Sequence, residues 1–182
     1  MRLFIAIQFN NRILTSLKKL QSDLRNAGLR GRYAKEENLH LTLAFIGEYD
    51  DPDKVIKAIE EVPFEPFAIE LSGMGRFGDL YWAGLTENPE LNDYVKRLRK
   101  SLSAHDIPYD KKKFSPHITL VRRGEFTAPK PGSQHNGKTA ANLQIPRTKT
   151  TVNSISLVKS EFTKDGMKYT TLAEICGIIS RG

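Results

Sequence analysis

The residues of this chain with the clearest chemical potential lie in two short, similar stretches. The tetrads His40–Leu43 and His117–Leu120 both read His-x-Thr-Leu, and a Gly-Glu pair follows each histidine at the seventh and eighth positions. Both tetrads have apolar surroundings typical of strands, in which side chains two apart point to the same face. Each copy is therefore predicted to present an imidazole and a hydroxyl side by side. Two of the four histidines of the chain head these copies.

Two histidines on two strands suit a reaction in which one proton is removed and another is supplied, because imidazole titrates near neutrality. This pattern fits in-line attack on phosphorus, with one histidine activating water and the other protonating the leaving oxygen. The hydroxyls of Thr42 and Thr119 would then hold non-bridging oxygens. The alternative is that both are half-buried strand histidines satisfied by their neighbours. The repeated threonine offset favours a catalytic pair, His40 and His117.

The flanks of the tetrads carry a resemblance to a known family. Glu37–Leu39 precedes the first histidine, Phe114–Pro116 precedes the second, and Arg122 stands five positions after it. With these flanks the tetrads resemble the signature of the 2H phosphoesterases, specifically the RNA 2′,3′-cyclic phosphodiesterases once called 2′-5′ RNA ligases. The likeness covers nearly the whole chain, from an opening strand at Arg2–Phe9 to a closing strand containing Gly166-x-x-Tyr169.

The resemblance implies hydrolysis of a terminal RNA 2′,3′-cyclic phosphate to a 2′-phosphomonoester and, in reverse, 2′-5′ joining of ends. It also implies that His40 is the acid and His117 the base. Another small cyclic or 2′-5′-linked nucleotide is an alternative substrate. The alternative from another class is a non-catalytic RNA-binding module that keeps a basic cleft, although binding alone would not need paired proton carriers.

Phe45 and Arg122 both stand five positions after their histidine. In the resembled family an aromatic and an arginine at these offsets sandwich the terminal base, and both groups stack on any base. The alternative for Phe45 is a core residue. For Arg122 the alternative is a plain phosphate contact, and Arg123 could exchange roles with it if a bulge shifts the strand.

No metal or other cofactor is expected. The tetrads offer two histidines with no third histidine and no carboxylate, which leaves a catalytic zinc short of ligands. The charge of +7 favours a polyanionic partner, and its clusters at Arg30–Lys35, Lys111–Lys113 and Arg122–Arg123 favour RNA. Arg2–Phe9 is read as a first strand, not a signal peptide.

A cytoplasmic monomer without a membrane segment is expected. No run approaches the ~18 apolar residues that a membrane span needs. The single cysteine, Cys176, suits a reducing cytosol and is predicted to be a small buried hydrophobe.

Hydrophobic periodicity predicts an α+β fold. Three amphipathic helices are expected, one over Asn11–Asn26, one starting at Asp51-Pro52 and one carrying the apolar stripe from Leu91 to Leu102. Strands are expected at Phe67–Leu71, Leu80–Ala83, Val152–Phe162 and Lys168–Ile175, the last two forming a hairpin through Asp165-Gly166. The repeated plan predicts one domain over residues 1–182. It would be a bilobal duplicated unit with two antiparallel sheets around a central cleft, helices on the outer faces and two pseudo-symmetric lobes.

Residues 127–149 are predicted to be an inserted surface loop, because prolines and glycines interrupt the pattern there. Within it, residues 132–139 satisfy Gly-x4-Gly-Lys-Thr, the phosphate-binding P-loop pattern. A P-loop needs a buried strand before it and a helix after it. Pro129 and Pro131 argue against the strand, and Pro146 leaves too few residues for a full helix, so a P-loop nucleotide enzyme is disfavoured.

Overall fold

The computed structural model describes residues 1–127 and 143–180. The helices within these ranges are α1 (Asn11–Asn26), α2 (Pro52–Glu60) and α3 (Pro89–Ala104). The strands are β1 (Arg2–Gln8), β2 (Leu29–Tyr33), β3 (His40–Glu48), β4 (Phe67–Phe77), β5 (Leu80–Leu85), β6 (Ile118–Phe126), β7 (Lys149–Val152), β8 (Ser154–Thr163) and β9 (Gly166–Cys176). A single 3-10 turn, Glu36–Asn38, precedes β3.

Each helix begins at a polar side chain that caps it. The side chain of Asn10 accepts a hydrogen bond from the Ile13 amide ahead of α1. In the same way Asp51 accepts from the Lys54 amide ahead of α2, and Asn88 accepts from the Leu91 amide ahead of α3. Proline occupies the first turn of α2 and α3, where its missing N–H costs nothing. The predicted bounds of α1, the predicted start of α2 and the predicted stripe of α3 are confirmed.

The strands form two antiparallel sheets in the described part of the chain. The first has the order β3-β1-β8-β9 and the second β2-β6-β5-β4-β7. Their registers place the two tetrads on different sheets. His40 pairs with Gln8 of β1, whereas Ile118, directly after His117, pairs with Ala83 of β5. The predicted α+β architecture with two antiparallel sheets is confirmed.

The two faces of the first sheet have different surroundings, and this difference creates the cleft. Leu3, Ile5 and Ile7 of β1 are buried in the main core, together with the apolar stripes of the helices. The alternating positions Phe4 and Ala6 point to the opposite face and form a small second cluster with β8. Helix packing on one face therefore leaves the other face open to line a cleft.

Several element predictions were wrong or incomplete. Arg30–Lys35 was treated as a basic segment, but Leu29–Tyr33 forms β2 and pairs with β6. The strand expected at Phe67–Leu71 continues to Phe77 as β4, where a side chain on Gly75 would lie 2.2 Å from the Trp82 ring. The glycine therefore allows the indole to lie against the strand. Cys176 is exposed at the end of β9, not buried.

The predicted loop at 127–149 is only partly described. Residues 143–148 have no regular structure, whereas Lys149, the predicted last residue of the loop, begins β7 and pairs with Glu70 of β4. The Gly-x4-Gly-Lys-Thr pattern at 132–139 lies outside the described residues. The domain extent and the insertion stay predictions. None of the helices in the described ranges is long and apolar enough to cross a membrane.

Candidate active site

His40 lies at the start of β3 with both ring nitrogens engaged. Its Nδ1 lies 2.8 Å from the carbonyl oxygen of Asn38 and its Nε2 lies 3.1 Å from Oγ1 of Thr42. Because a carbonyl oxygen only accepts, Nδ1 must carry the proton and donate it, and the neutral ring then accepts from the Thr42 hydroxyl at Nε2. The tetrad spacing therefore produces the predicted pairing of imidazole and hydroxyl.

His117, which directly precedes β6, repeats half of this arrangement. Its Nδ1 donates to the carbonyl oxygen of Ser115 at 2.8 Å, again the residue two positions earlier. The backbone thus fixes both histidines in the same tautomer, with Nε2 unprotonated in the neutral ring. Thr119 follows His117 on the same face of the strand and is half-buried.

The environment of His40 disfavours its charged form. Its pKa is lowered from 6.5 to about 4, chiefly by burial. The hydrogen bond to Asn38 opposes this shift, and the nearby charges of Arg122 and His117 add to it. Thr42 and His117 line the same cavity, so the second tetrad strand lies across the cleft from the first. The predicted catalytic pair is therefore brought together from two sheets, and His40 is neutral in the free protein.

A matching bulge in each tetrad strand explains why the residue five positions after each histidine shares its face. In β3, Ile5 pairs with Ala44 and Ala6 with Thr42, so Leu43 is an extra residue. Regular alternation would send a residue at an odd offset to the opposite face, and the extra residue reverses this. Two consecutive side chains, Leu43 and Ala44, are consequently buried, and Phe45 returns to the cleft.

The same irregularity occurs in β6. Tyr81 pairs with Val121 and Trp82 with Thr119, which leaves an extra residue, Leu120, three positions after the histidine as in β3. Leu120 and Val121 are both fully buried, and the following residue, Arg122, is exposed. The bulge therefore directs Arg122 to the side of His117 and Thr119.

Phe45 and Arg122 have different neighbours in the cleft. Phe45 lines the same cavity as Thr42 and His117, whereas the charge of Arg122 acts on His40. The guanidinium over the Phe45 ring is that of Arg2, 5.0 Å from the ring centroid. Each residue thus faces the tetrad of the other sheet, and the predicted base sandwich between Phe45 and Arg122 stays a prediction.

Comparison with known proteins agrees with this geometry. The family model of the 2′-5′ RNA ligase superfamily matches residues 12–162, which include both tetrads and both bulges. The chain belongs to the 2′-5′ RNA ligase superfamily. The predicted relationship to the 2H phosphoesterases is confirmed.

Relatives within the superfamily match most of the chain. An RNA 2′,3′-cyclic phosphodiesterase of Thermotoga maritima is 28% identical, over 96% of this chain and 94% of its own. One of Archaeoglobus fulgidus is 32% identical over 67% and 72%. The crystal structure of E. coli LigT complexed with phosphate is 25% identical, with a TM-score of 0.72 over 97% and 96% of the two chains. The superfamily fold therefore extends over nearly the whole chain.

Aromatic rings surround both histidines of this superfamily member, and most of them are not predicted from local sequence patterns. The Phe4 ring lies 4.8 Å from that of His40, and the Tyr169 ring meets it edge-on at 5.3 Å. Around His117 the Phe77 ring lies at 5.2 Å and the Trp82 ring at 6.3 Å. Only Tyr169 was noted, as part of the family pattern. The others come from β1, β4 and β5, and only the sheet pairing brings them near a tetrad.

Proposed function

We propose that this chain is an RNA 2′,3′-cyclic phosphodiesterase that opens a terminal cyclic phosphate to a 2′-phosphomonoester, with His40 and His117 as its proton carriers. The activity predicted from the sequence is that of the curated relatives from Thermotoga and Archaeoglobus. The observation that supports the assignment of the histidines is that the backbone holds both rings by the same hydrogen bond. Each Nδ1 donates to the carbonyl oxygen two residues earlier, so each Nε2 is left for proton transfer.

This attachment matters because a general acid or base must hold its proton in a fixed place. The backbone bond removes the alternative tautomer and fixes the ring without using a side-chain carboxylate. Two rings with the same tautomer, on strands of two sheets, fit a reaction with proton transfers on opposite sides of one phosphorus atom.

In the proposed reaction, water attacks phosphorus and one imidazole takes a proton from the water. The bond from phosphorus to the 3′-oxygen breaks, and the other imidazole, protonated, gives its proton to that oxygen. The phosphate stays on the 2′-oxygen. Thr42 and Thr119 donate hydrogen bonds to the non-bridging oxygens, whose negative charge increases as the water adds. Thr42 would exchange its bond to His40 for the phosphate when substrate binds.

The roles of acid and base depend on the pKa of His40. The resemblance makes His40 the acid, yet burial lowers its pKa to about 4, so the free protein presents a neutral ring. His40 can act as the acid only if the bound phosphate anion raises this pKa and so restores the proton. The assignment stays a prediction, and the pH dependence of kcat, which reports the enzyme–substrate complex, tests it in wild type and in Arg122→Gln.

The test uses the sign of the effect of Arg122 on His40. Its positive charge lowers the pKa of His40, so its removal raises that pKa. If His40 is the acid, the alkaline limb of the kcat profile moves to higher pH in the variant. A shift of the acidic limb instead would make His40 the base. The measurement uses a mononucleoside cyclic phosphate, and the pKa values belong to the interacting pair of histidines.

The activity itself is tested with the four nucleoside 2′,3′-cyclic phosphates in EDTA, with the position of the product phosphate assigned by phosphorus NMR. We expect a 2′-phosphomonoester from each, because the proposed proton carriers are imidazoles and the expected reaction needs no metal. Full inhibition by EDTA would contradict the metal-free reaction. Turnover of a 2′-5′-linked dinucleotide in place of cyclic phosphates would favour the alternative substrate class. RNA binding without turnover would favour the non-catalytic module.

The base clamp and the partner belong to the same proposal. Phe45 of β3 and Arg122 of β6 are proposed to sandwich the terminal base, and RNA with a cyclic phosphate end is the proposed partner. A cytoplasmic location and a monomeric state stay predictions. Analytical sedimentation would measure the oligomeric state.

A further inference from the structure

The cleft opens into two cavities of different chemical character on either side of the histidines. The first, of about 370 Å³, lies beside His40. The second, of about 430 Å³, lies beside His117 and is also lined by Thr42 and Phe45 of the first tetrad strand. Each is large enough to hold a nucleotide-sized group. An RNA strand that carries its cyclic phosphate between the histidines can extend through only one of them.

The charges that line the cavities differ in sign. Glu36 and Glu37 line the cavity beside His40, and Glu36 is already paired with Lys18 at 2.6 Å. Arg99, Lys112 and Lys113 line the cavity beside His117. A phosphodiester strand is repelled by the first set and attracted by the second. The charge therefore favours the cavity beside His117.

This basic lining is held by the surrounding structure. The Arg99 guanidinium donates to the carbonyl oxygen of Lys112 at 2.8 Å and lies 5.9 Å from the centroid of the Phe114 ring. The carboxylate of Asp110, which also lines the cavity, accepts from the Lys112 amide at 3.0 Å and lies 3.6 Å from its ammonium nitrogen. The segment before the second tetrad is thus fixed beside the cleft, and the exposed Lys113 is available to a ligand.

The same cavity contains an exposed aromatic ring, that of Phe77. Phe77 is 49% exposed, although its ring packs against His117 and Trp82. The β4–β5 hairpin presents it, and the Asp79 carbonyl oxygen at the tip accepts a 2.8 Å hydrogen bond from Gly124 of β6. Any side chain at position 124 would collide with Tyr81, so the glycine allows this attachment. Phe77 is therefore a fixed apolar surface that faces solvent beside His117.

We propose that the RNA strand leaves the active site through the cavity beside His117, with the base of the penultimate nucleotide stacked on Phe77 and its phosphate held by Lys112 and Lys113. Stacking on an aromatic ring accepts any base, so this subsite would add affinity without sequence preference. The proposal rests on the proposed function, since it takes the position of the cyclic phosphate from the two histidines. It makes the enzyme prefer oligonucleotide ends over free cyclic nucleotides.

The test compares Phe77→Ala with wild type on two substrates, a mononucleoside 2′,3′-cyclic phosphate and a dinucleotide ending in the same cyclic phosphate. The measured quantity is the ratio of kcat/KM for the dinucleotide to that for the mononucleotide, which cancels any effect of Phe77 on His117. We expect this ratio to fall about 5- to 150-fold, as loss of one stacked base does. The matched control is Phe162→Ala, which removes an 84% exposed phenylalanine at the far end of β8 and should leave the ratio unchanged.

A third substrate distinguishes the contribution of the penultimate base to kcat/KM from that of its phosphate. A dinucleotide with an abasic first residue keeps the phosphate, so wild type and Phe77→Ala should differ on it no more than on the mononucleotide. Lys113→Gln should lower kcat/KM equally for the abasic and the complete dinucleotide, whereas Glu37→Gln should change neither. Equal losses on mononucleotide and dinucleotide in Phe77→Ala would overturn the proposal, and so would an unchanged ratio.

Failure of the proposed function has a different signature, namely no turnover of any cyclic phosphate by wild type. The inference is then tested by binding of a dinucleotide and a mononucleotide, both with a 3′-terminal phosphate. The readout is the fluorescence of Trp82, the single tryptophan, which lies 5.2 Å from Phe77. A dinucleotide preference that Phe77→Ala removes would support the subsite, and equal affinities in wild type would reject it.

Discussion

The buried, neutral His40 should make the folded protein sensitive to mild acid. Its pKa is about 4 in the folded protein and 6.5 in the unfolded chain, so between these values the unfolded chain binds the proton more readily. The free energy of unfolding therefore falls as pH drops through this window. At 1.36 kcal/mol per pH unit, the full effect is about 3 kcal/mol, of which about 2 kcal/mol is lost between pH 7 and pH 5.

The perturbation is His40→Gln, which keeps a polar side chain of similar size but cannot take up a proton. The free energy of unfolding of both proteins is measured by urea titration at pH 7, 6 and 5, with Trp82 fluorescence as the signal. Wild type should lose about 2 kcal/mol more than the variant over this range. Comparison of slopes removes the contributions of all other titrating groups, which the two proteins share.

One control separates burial from the charge of Arg122. Arg122→Gln removes one of the charges that lower the pKa of His40, but burial is the larger cause, so most of the slope should remain. Parallel wild-type and His40→Gln curves would refute the reasoning, because they would mean that His40 is protonated equally in both states.

The remaining predictions concern activity on a cyclic phosphate. His40→Ala and His117→Ala should each lower turnover about 10²–10⁴-fold while the protein stays folded, as loss of a general acid or base does; near wild-type rates would reject the mechanism. Thr42→Val and Thr119→Val should cost ~1–3 kcal/mol in kcat/KM, so losses as large as those of the histidine variants would mean that the hydroxyls do more than hold phosphate. If Lys111–Lys113 contact RNA phosphates, oligonucleotide affinity should fall steeply with salt and mononucleotide affinity only slightly. Parallel salt dependences for the two ligands would mean that these lysines are solvated and do not contact RNA.

Local patterns predicted the helices and the tetrads because the information for both lies within a few residues. The amphipathic spacing of α1 and its Asn10 cap are local, and so is the alternation that places Thr42 beside His40. The i−2 carbonyl bond to each histidine is equally local. These features do not depend on which strands pair, so a single sequence is enough to find them.

The features that could not be predicted from the sequence depend on pairing between strands that are distant along the chain. The basic stretch from Arg30 has a poor strand composition, and it becomes β2 only because β6 offers its free edge. Phe77 and Trp82 approach His117 because β4, β5 and β6 are neighbours in the second sheet. The low pKa of His40 likewise comes from burial by the whole cleft and from Arg122, which lies on the other sheet.

The bulges show how a local signal and a long-range one combine. An arginine five positions after a strand histidine points away from it in a regular strand, so the offset of Arg122 alone argues against a shared site. Two consecutive apolar residues, Leu120 and Val121, mark the bulge in the sequence, because both belong to the main core and regular alternation would place them on opposite faces. Leu43 and Ala44 do the same in the first copy. A duplicated break in alternation, at the same distance from a duplicated histidine, is therefore itself a sequence signal for a site built at the meeting of two sheets.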